Sequence, residues 1–268
     1  MRIISPAIVL LLLLAIQGCG RKPGPVLPAQ VTVEQVLTSL EKQMSQIHDF
    51  SGRARARARI EGESESAVIY INFIRPDRFR VIVKGTFGVV LSVVMAGPDY
   101  YTIYIPSISG YFIVGRDEDI SELLVPGARF DISRLTSMFT GLLTSVDELA
   151  DSHISLKRKR HQAVLTIENG DTVYRYTVEG PDILLMEEEI SMHDVVIWRR
   201  TCADYEPCGS EVFPRKNTFT EGKKQLVLEF TSCTVNPGLT EDDLFFEIPP
   251  NAERYSLEQK SRPSQNTP

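Results

Sequence analysis

Apolar and polar positions alternate with a period of two over long parts of this chain. The clearest case is Gly52–Glu61, Gly-Arg-Ala-Arg-Ala-Arg-Ala-Arg-Ile-Glu. Side chains on a strand point to opposite faces in turn, so this stretch predicts a strand with an Arg face and an Ala/Ile face. Ala67–Ile74, Phe79–Lys84, Val89–Ala96, Tyr100–Ile105 and Tyr111–Val114 follow, separated by short breaks rich in Gly, Pro, Asp and Ser. No helix-length gap separates them, which predicts a six-stranded antiparallel meander. Ala67–Ile74 and Val89–Ala96 are apolar on both faces, so the sheet needs cover on both sides or one face lining an apolar cavity. Ahead of the meander the period changes to that of a helix. Thr32 and Gln35 form a capping-box pair, and Val33, Val36, Leu37, Leu40, Met44 and Ile47 recur on one stripe.

Beyond Val114 the period becomes helical again. Residues 117–124 predict a short helix and residues 131–143 a longer one, with Asp131 as cap. Ile132, Leu135, Met138, Phe139, Leu142 and Leu143 form a broad apolar stripe. A Met/Phe/Leu surface adapts to differently shaped apolar partners, which suits a lid over the sheet. Plain core packing serves these positions equally. Strands resume at Ser152–Glu168 and Thr172–Glu179, around the hairpin signal Asn169-Gly170-Asp171. Glu188–Arg199, Glu211–Phe219, Lys224–Thr234 and Leu244–Ile248 follow, and the sheet is expected to hold about eleven strands. The predicted class is mainly β with α, an open antiparallel half-barrel covered by a few helices. Residues 33–252 form one domain, and 253–268 are polar and expected to be disordered.

The amino terminus reads as an address. Arg2 precedes the apolar run Ile8–Ile16, which is far shorter than the roughly 20 residues that span a bilayer. It therefore fits a secretory signal over residues 1–18. Leu14-Ala15-Ile16-Gln17-Gly18-Cys19 resembles the bacterial lipobox, which implies cleavage before Cys19 and acylation of that residue. The covalent lipid on Cys19 is the only group expected, with no other cofactor. Residues 19–32, rich in Pro, would tether the domain to the membrane. Gly20 stands where Asp would signal inner-membrane retention, so the expected site is the outer membrane, facing the periplasm.

Charge and cysteines narrow the picture further. The chain carries 29 Lys and Arg against 35 Asp and Glu, net −6, and losing Arg2 with the signal makes this −7. That balance argues against nucleic acid as partner. Cys202, Cys208 and Cys233 remain after Cys19. One disulfide with one thiol left over is the simple account, and Cys202–Cys208 across Ala-Asp-Tyr-Glu-Pro is the expected hairpin staple. A metal site lacks a His at ligand spacing. Arg53, Arg55, Arg57 and Arg59 read as a solvated face pairing with Glu61, Glu63 and Glu65, or as a surface for anionic headgroups or an acidic partner. Lys157–His161 reads as a solvated strand end, as do the acidic runs Asp117–Asp119, Glu187–Glu189 and Glu241–Asp243. There is no Gly-x-Ser-x-Gly elbow, phosphate loop or His-Glu-x-x-His, and an enzyme is not expected.

Certain segments, taken in order, carry a resemblance. An amphipathic helix leads into Ser51-Gly52-Arg53-Ala54, then Arg75-Pro76-Asp77-Arg78-Phe79-Arg80, Gly85-Thr86-Phe87-Gly88, and Leu244-Phe245-Phe246-Glu247-Ile248-Pro249-Pro250-Asn251-Ala252. Together they resemble the periplasmic lipoprotein carriers and receptors of the LolA/LolB-like superfamily over roughly residues 33–252. The resemblance implies an apolar concave face that takes acyl chains of a lipoprotein or lipid, in a monomer that exchanges cargo with a periplasmic carrier protein. Cys19 places this chain nearer the membrane-bound receptor. In receptors an apolar residue on a protruding loop aids transfer into the membrane. Phe87 is the matching candidate, unless it folds back into the core. Carriers hold their closed state with a strand Arg, and several first-strand arginines match equally. The alternative is an accessory lipoprotein with the same fold, a filled cavity and a docking role.

Overall fold

The computed structural model describes residues 27–28, 30–60, 62–97, 99–115, 152–159 and 161–256. Cys19, the signal segment, most of the tether, the helices expected over 117–143 with Leu135, Met138, Phe139, Leu142 and Leu143, and the residues after 256 lie outside them.

Helix α1 spans Val33–Ser45. The predicted capping box forms: the Thr32 amide donates to Gln35 Oε1 at 3.0 Å and the Gln35 amide to Thr32 Oγ1 at 3.2 Å. Two otherwise orphaned donors are satisfied this way. The stripe also turns inward as expected, with Val36 and Leu40 buried and Val33 and Leu37 packed beside them.

Six strands then follow in order. They are β1 Asp49–Ile60, β2 Glu63–Ile74, β3 Arg78–Lys84, β4 Val90–Ala96, β5 Tyr100–Ile105 and β6 Gly110–Gly115. The second run comprises β7 His153–Lys159, β8 Gln162–Asn169, β9 Thr172–Glu179, β10 Leu184–Met192, β11 Val195–Cys208, β12 Glu211–Glu221 and β13 Lys224–Val235. A short β14, Glu253–Tyr255, closes the chain's described part. All belong to one open sheet in the order β14-β6-β5-β4-β3-β2-β1-β13-β12-β11-β10-β9-β8-β7. Neighbours are antiparallel except β14, which runs parallel to β6. Two meanders thus meet where β1 pairs with β13.

The strand count exceeds the expected eleven for identifiable reasons. Residues 152–168 and 188–199 each hold a tight turn and two strands. His193 and Asp194 turn the second in left-handed backbone, without the Gly that usually announces such a turn. Conversely, Leu244–Ile248 is no strand. A turn at Glu241–Leu244 is capped by Asp243 on Thr240, and Pro249 and Pro250 lack the amides a ladder needs. The tail also starts later than expected, because Glu253–Tyr255 adds to the β6 edge with the Tyr255 ring beside Phe112. At the other end the tether stops short: Leu27 is buried with α1 and β8 in the second core cluster. No helix among the described residues is long and apolar enough to cross a membrane.

The expected Cys202–Cys208 pair is corrected. Both residues lie on β11, six positions apart, or about 20 Å along an extended strand. The turn falls later, at Gly209 with φ +78°. Cys208 instead bonds Cys233 on β13, with Cα atoms 5.4 Å apart, while Cys202 is a free, buried thiol.

Candidate functional site

Register carries one face continuously across the sheet. Ile103 on β5, Val94 on β4, Val81 on β3, Ile71 on β2, Gly52 on β1 and Cys233 on β13 lie side by side, and a second row carries the same face from Ala58 through Leu226, Phe219, Arg200, Glu188 and Tyr176 to Leu165 on β8. This inner face holds both apolar clusters. The larger one includes Phe50, Ile69, Phe73, Val94, Ile103, Phe112, Trp198, Phe219 and Phe230. The smaller one joins Leu165, Ile167, Tyr176 and Val178 to α1. Ala54, Ala56 and Ala58 face inward from β1 beside Ala67 and Ile69 of β2. Ala54 and Ala58 are buried there, so the middle of this inner trough is built from small side chains. Phe50, Phe213 and Phe230 close one end of it with mutual ring distances of 5.0–5.6 Å.

One polar group interrupts this face. Glu188 of β10 and Arg200 of β11 are cross-strand partners, both almost wholly buried, with Arg200 Nη1 3.9 Å from Glu188 Oε2. Arg200 Nε donates to Asn217 Oδ1 at 3.2 Å, and the Cys202 thiol approaches the same oxygen at 3.6 Å. Burial pushes the Cys202 thiol up, and also raises the Tyr205 phenol, which donates to the Leu185 carbonyl. The thiol is therefore chemically quiet. The run Glu187–Glu189 is thus not a solvated end. Glu188 points inward, while Glu189 points outward between Arg175 and Arg199, at 2.8 and 2.6 Å. Burial pushes the Glu189 carboxyl up, but the hydrogen bonds and charges of the two arginines outweigh it and hold it below the usual range.

Phe87 stands at the tip of the β3–β4 loop and is 99% exposed. The loop is a single turn, Thr86–Gly88, closed by the Gly88 amide donating to the Gly85 carbonyl at 3.2 Å and by the Gly85 amide donating to the Val89 carbonyl at 2.9 Å. Phe87 is left-handed there (φ 63°), an uncommon backbone for a bulky residue. Gly88 at φ +78° has no side chain to oppose the turn. The ring does not fold into the core, and Val89 and Leu91 beside it are also exposed.

The arginine stripe faces outward as expected, but its partners differ. Arg53, Arg55, Arg57 and Arg59 lie opposite Tyr70, Val68, Ser66 and Ser64, whereas Glu63 and Glu65 lie opposite Ile60 and Ala58 on the other face. Arg57 pairs with Glu229 of β13 at 3.1 Å. Arg53 and Lys84 flank the Tyr70 ring at 5.6 and 4.8 Å from its centre. Among the described residues no carboxylate pairs with Arg55 or Arg59.

The outer face of β3–β6 is covered by the segment after β13. Arg78 pairs with Glu241 at 2.6 Å, Arg80 Nη1 donates to the Phe245 carbonyl at 2.7 Å, and the Phe246 ring stacks on Tyr104. A cleft of about 760 Å³ remains beneath Phe245–Pro250, lined by Met95, Tyr100, Tyr111 and Ile113. The late Leu-Phe-Phe-Glu-Ile-Pro-Pro segment is therefore outer cover, not trough.

This architecture recurs among solved structures. A domain named for outer membrane lipoprotein sorting, from Vibrio parahaemolyticus, superposes with a TM-score of 0.58 at 12% identity, covering 80% of this chain and 97% of its own. A LolA superfamily protein from Nitrosomonas europaea gives 0.53 at 10% identity, covering 81% and 99%. The chain has a LolA/LolB-like fold. A DUF1329 family protein from Desulfovibrio piger shares it too, with a TM-score of 0.58 at 9% identity over 81% of this chain and 98% of that one. No protein-family model and no curated protein matches the sequence.

Two features of the site escaped the sequence reading. The buried Glu188–Arg200 pair was hidden in an acidic run, although alternation within β10 would have sent the middle residue to the opposite face. The exposed Met192, Val195 and Val196 were hidden because no turn was placed at His193-Asp194.

Proposed function

We propose that this chain is a lipid-anchored envelope lipoprotein that takes acyl chains of a lipoprotein or lipid on its inner face and passes them to a membrane. The observation that carries this reading is the broad apolar inner face, with Ala54, Ala56 and Ala58 at its middle and Phe87 projecting from the β3–β4 turn. Small floor residues leave volume that an alkyl chain can fill, and each methylene moved from water gains about 0.8 kcal/mol. The fold shared with a LolA superfamily protein and a lipoprotein-sorting domain supports it. Acylated Cys19 would hold the domain at the outer membrane facing the periplasm, with a periplasmic carrier as donor. In this reading the protein binds and does no covalent chemistry.

The trough is tested with a fluorescent acylated peptide added to the mature chain carrying Cys19→Ser. Saturable uptake, lost in Ala56→Phe with the circular dichroism unchanged, is the expected result. Undiminished uptake in that variant would place the cargo elsewhere.

A second reading has its own support. Phe73, Val94 and Ile103 are already fully buried, and Phe50, Phe213 and Phe230 fill one end. Such a protein would dock to another envelope component and take up no acyl peptide at all.

A further inference from the structure

Strand topology gathers exposed apolar residues at one end of the sheet. β1 runs toward this end and β2 returns, and so do the pairs β3/β4, β5/β6, β8/β9, β10/β11 and β12/β13. Their turns therefore form a single rim. Phe87, Val89 and Leu91 occupy the β3–β4 turn, and Ile108 the β5–β6 turn beside it. On the far side of the sheet, Met192, Val195 and Val196 occupy the β10–β11 hairpin, with Val195 63% exposed. These seven are most of the large exposed apolar residues among the described ones. Water-exposed Met192 and Val195 on the two sides of a two-residue turn cost solvation unless something covers them.

We infer that the β10–β11 hairpin is a second membrane contact, so that the domain sits on a phospholipid surface at two points of one rim, with the trough between them. This rests on the reading of Phe87 as a membrane-entering residue and extends it to the opposite half of the sheet. The six steps between the centres of the two turns in the strand order amount to about 29 Å along the sheet, far too wide for one loop to set the tilt of the body. Two contacts fix it.

Charge identifies the surface as lipid. Directly behind the Phe87 turn lie Lys84, the last residue of β3, and the outward row Arg55, Arg57 and Arg59, which has only Glu229 as a paired acid among the described residues. At the Phe87 turn an apolar tip backed by cations matches acyl chains beneath anionic headgroups; the β10–β11 turn carries Asp194, with His193 3.8 Å from Asp171, and contributes apolar contact alone. A second protein would need an apolar patch at each of two separated turns.

The test uses the mature chain with Cys19→Ser and two single variants, Phe87→Trp and Val195→Trp. Each is mixed with phosphatidylcholine/phosphatidylglycerol vesicles containing brominated lipid. Trp198 is buried and supplies an unquenched baseline. Quenching of both introduced indoles, with Phe87→Ser and Val195→Ser each lowering vesicle partitioning about tenfold, is the expected result. Quenching of Phe87→Trp alone overturns the two-point contact and leaves the reading of Phe87 standing. Quenching of Val195→Trp alone overturns both as stated, and quenching of neither removes the lipid surface altogether.

Discussion

Removal of the Cys208–Cys233 bond is the perturbation whose size follows most directly from the structure. The bond joins positions 25 residues apart, tying the end of β11 to β13 across β12. In the chain-entropy account, a closed loop of that length contributes about 3.5 kcal/mol by restricting the unfolded chain. Cys208 is also buried within the larger cluster, so a single substitution would leave a stray thiol there. The double variant Cys208→Ala/Cys233→Ala avoids that. For a domain of this size each kcal/mol moves the melting temperature by about 2–4 °C, so the double variant should melt roughly 10 °C lower in a circular-dichroism scan at pH 7. Cys202→Ala should lose less, because it removes one buried sulfur from the second core cluster and no covalent link. Thiol counting separates the pairings independently. In the Cys19→Ser chain, maleimide should label no cysteine in the folded state, one after unfolding without reductant, and all three after reduction. A double variant melting within about 2 °C of the parent, or a tryptic peptide linking Cys202 to Cys208, would refute the reasoning.

Other consequences can be stated briefly. Glu188→Ala leaves the buried Arg200 guanidinium without its counter-ion and should cost about 3–5 kcal/mol in urea unfolding, whereas the paired change Glu188→Leu/Arg200→Leu should recover most of it. Glu189 is held below the usual carboxylate range, so its contribution is fully present above about pH 4.3, the unfolded value, and is lost as pH falls through its lower folded value. Glu189→Gln should therefore destabilise at pH 7 by about 1–3 kcal/mol, with the gap to the parent closing below about pH 4; a gap independent of pH would contradict the two-arginine clamp. Phe246→Ala removes the ring stacked on Tyr104 and should expose Phe245–Pro250 to limited proteolysis, with the cuts confined to that segment.

The strands were legible wherever one side chain in two had to be buried. β1 shows this well, because Ala and Arg alternate under a single register with β2. The helix stripe and its capping box were equally plain, since both are local. What stayed hidden depended on partners distant in sequence. The Cys208–Cys233 pair needs β11 and β13 to be brought together across β12, and local spacing favoured the wrong partner. Glu63 and Glu65 sit near the arginines in sequence but on the opposite face, so Arg57 finds Glu229 instead. Leu244–Ile248 has the apolar content of a strand, and only the two prolines after it and the anchoring by Arg78 and Arg80 explain why it crosses the sheet. Phe87 was ambiguous for a similar reason: whether a ring between two glycines turns in or out is set by the left-handed backbone, which its own identity does not demand.

The central claim is that the inner face holds an acyl chain, and native mass spectrometry tests it most directly. The mature chain with Cys19→Ser would be exported to a periplasm, purified without detergent, and sprayed before and after addition of an acylated peptide. The account predicts a one-to-one adduct that survives gentle activation and is lost in Ala56→Phe. A bare protein mass under every condition would contradict it and leave the docking lipoprotein as the function of this fold.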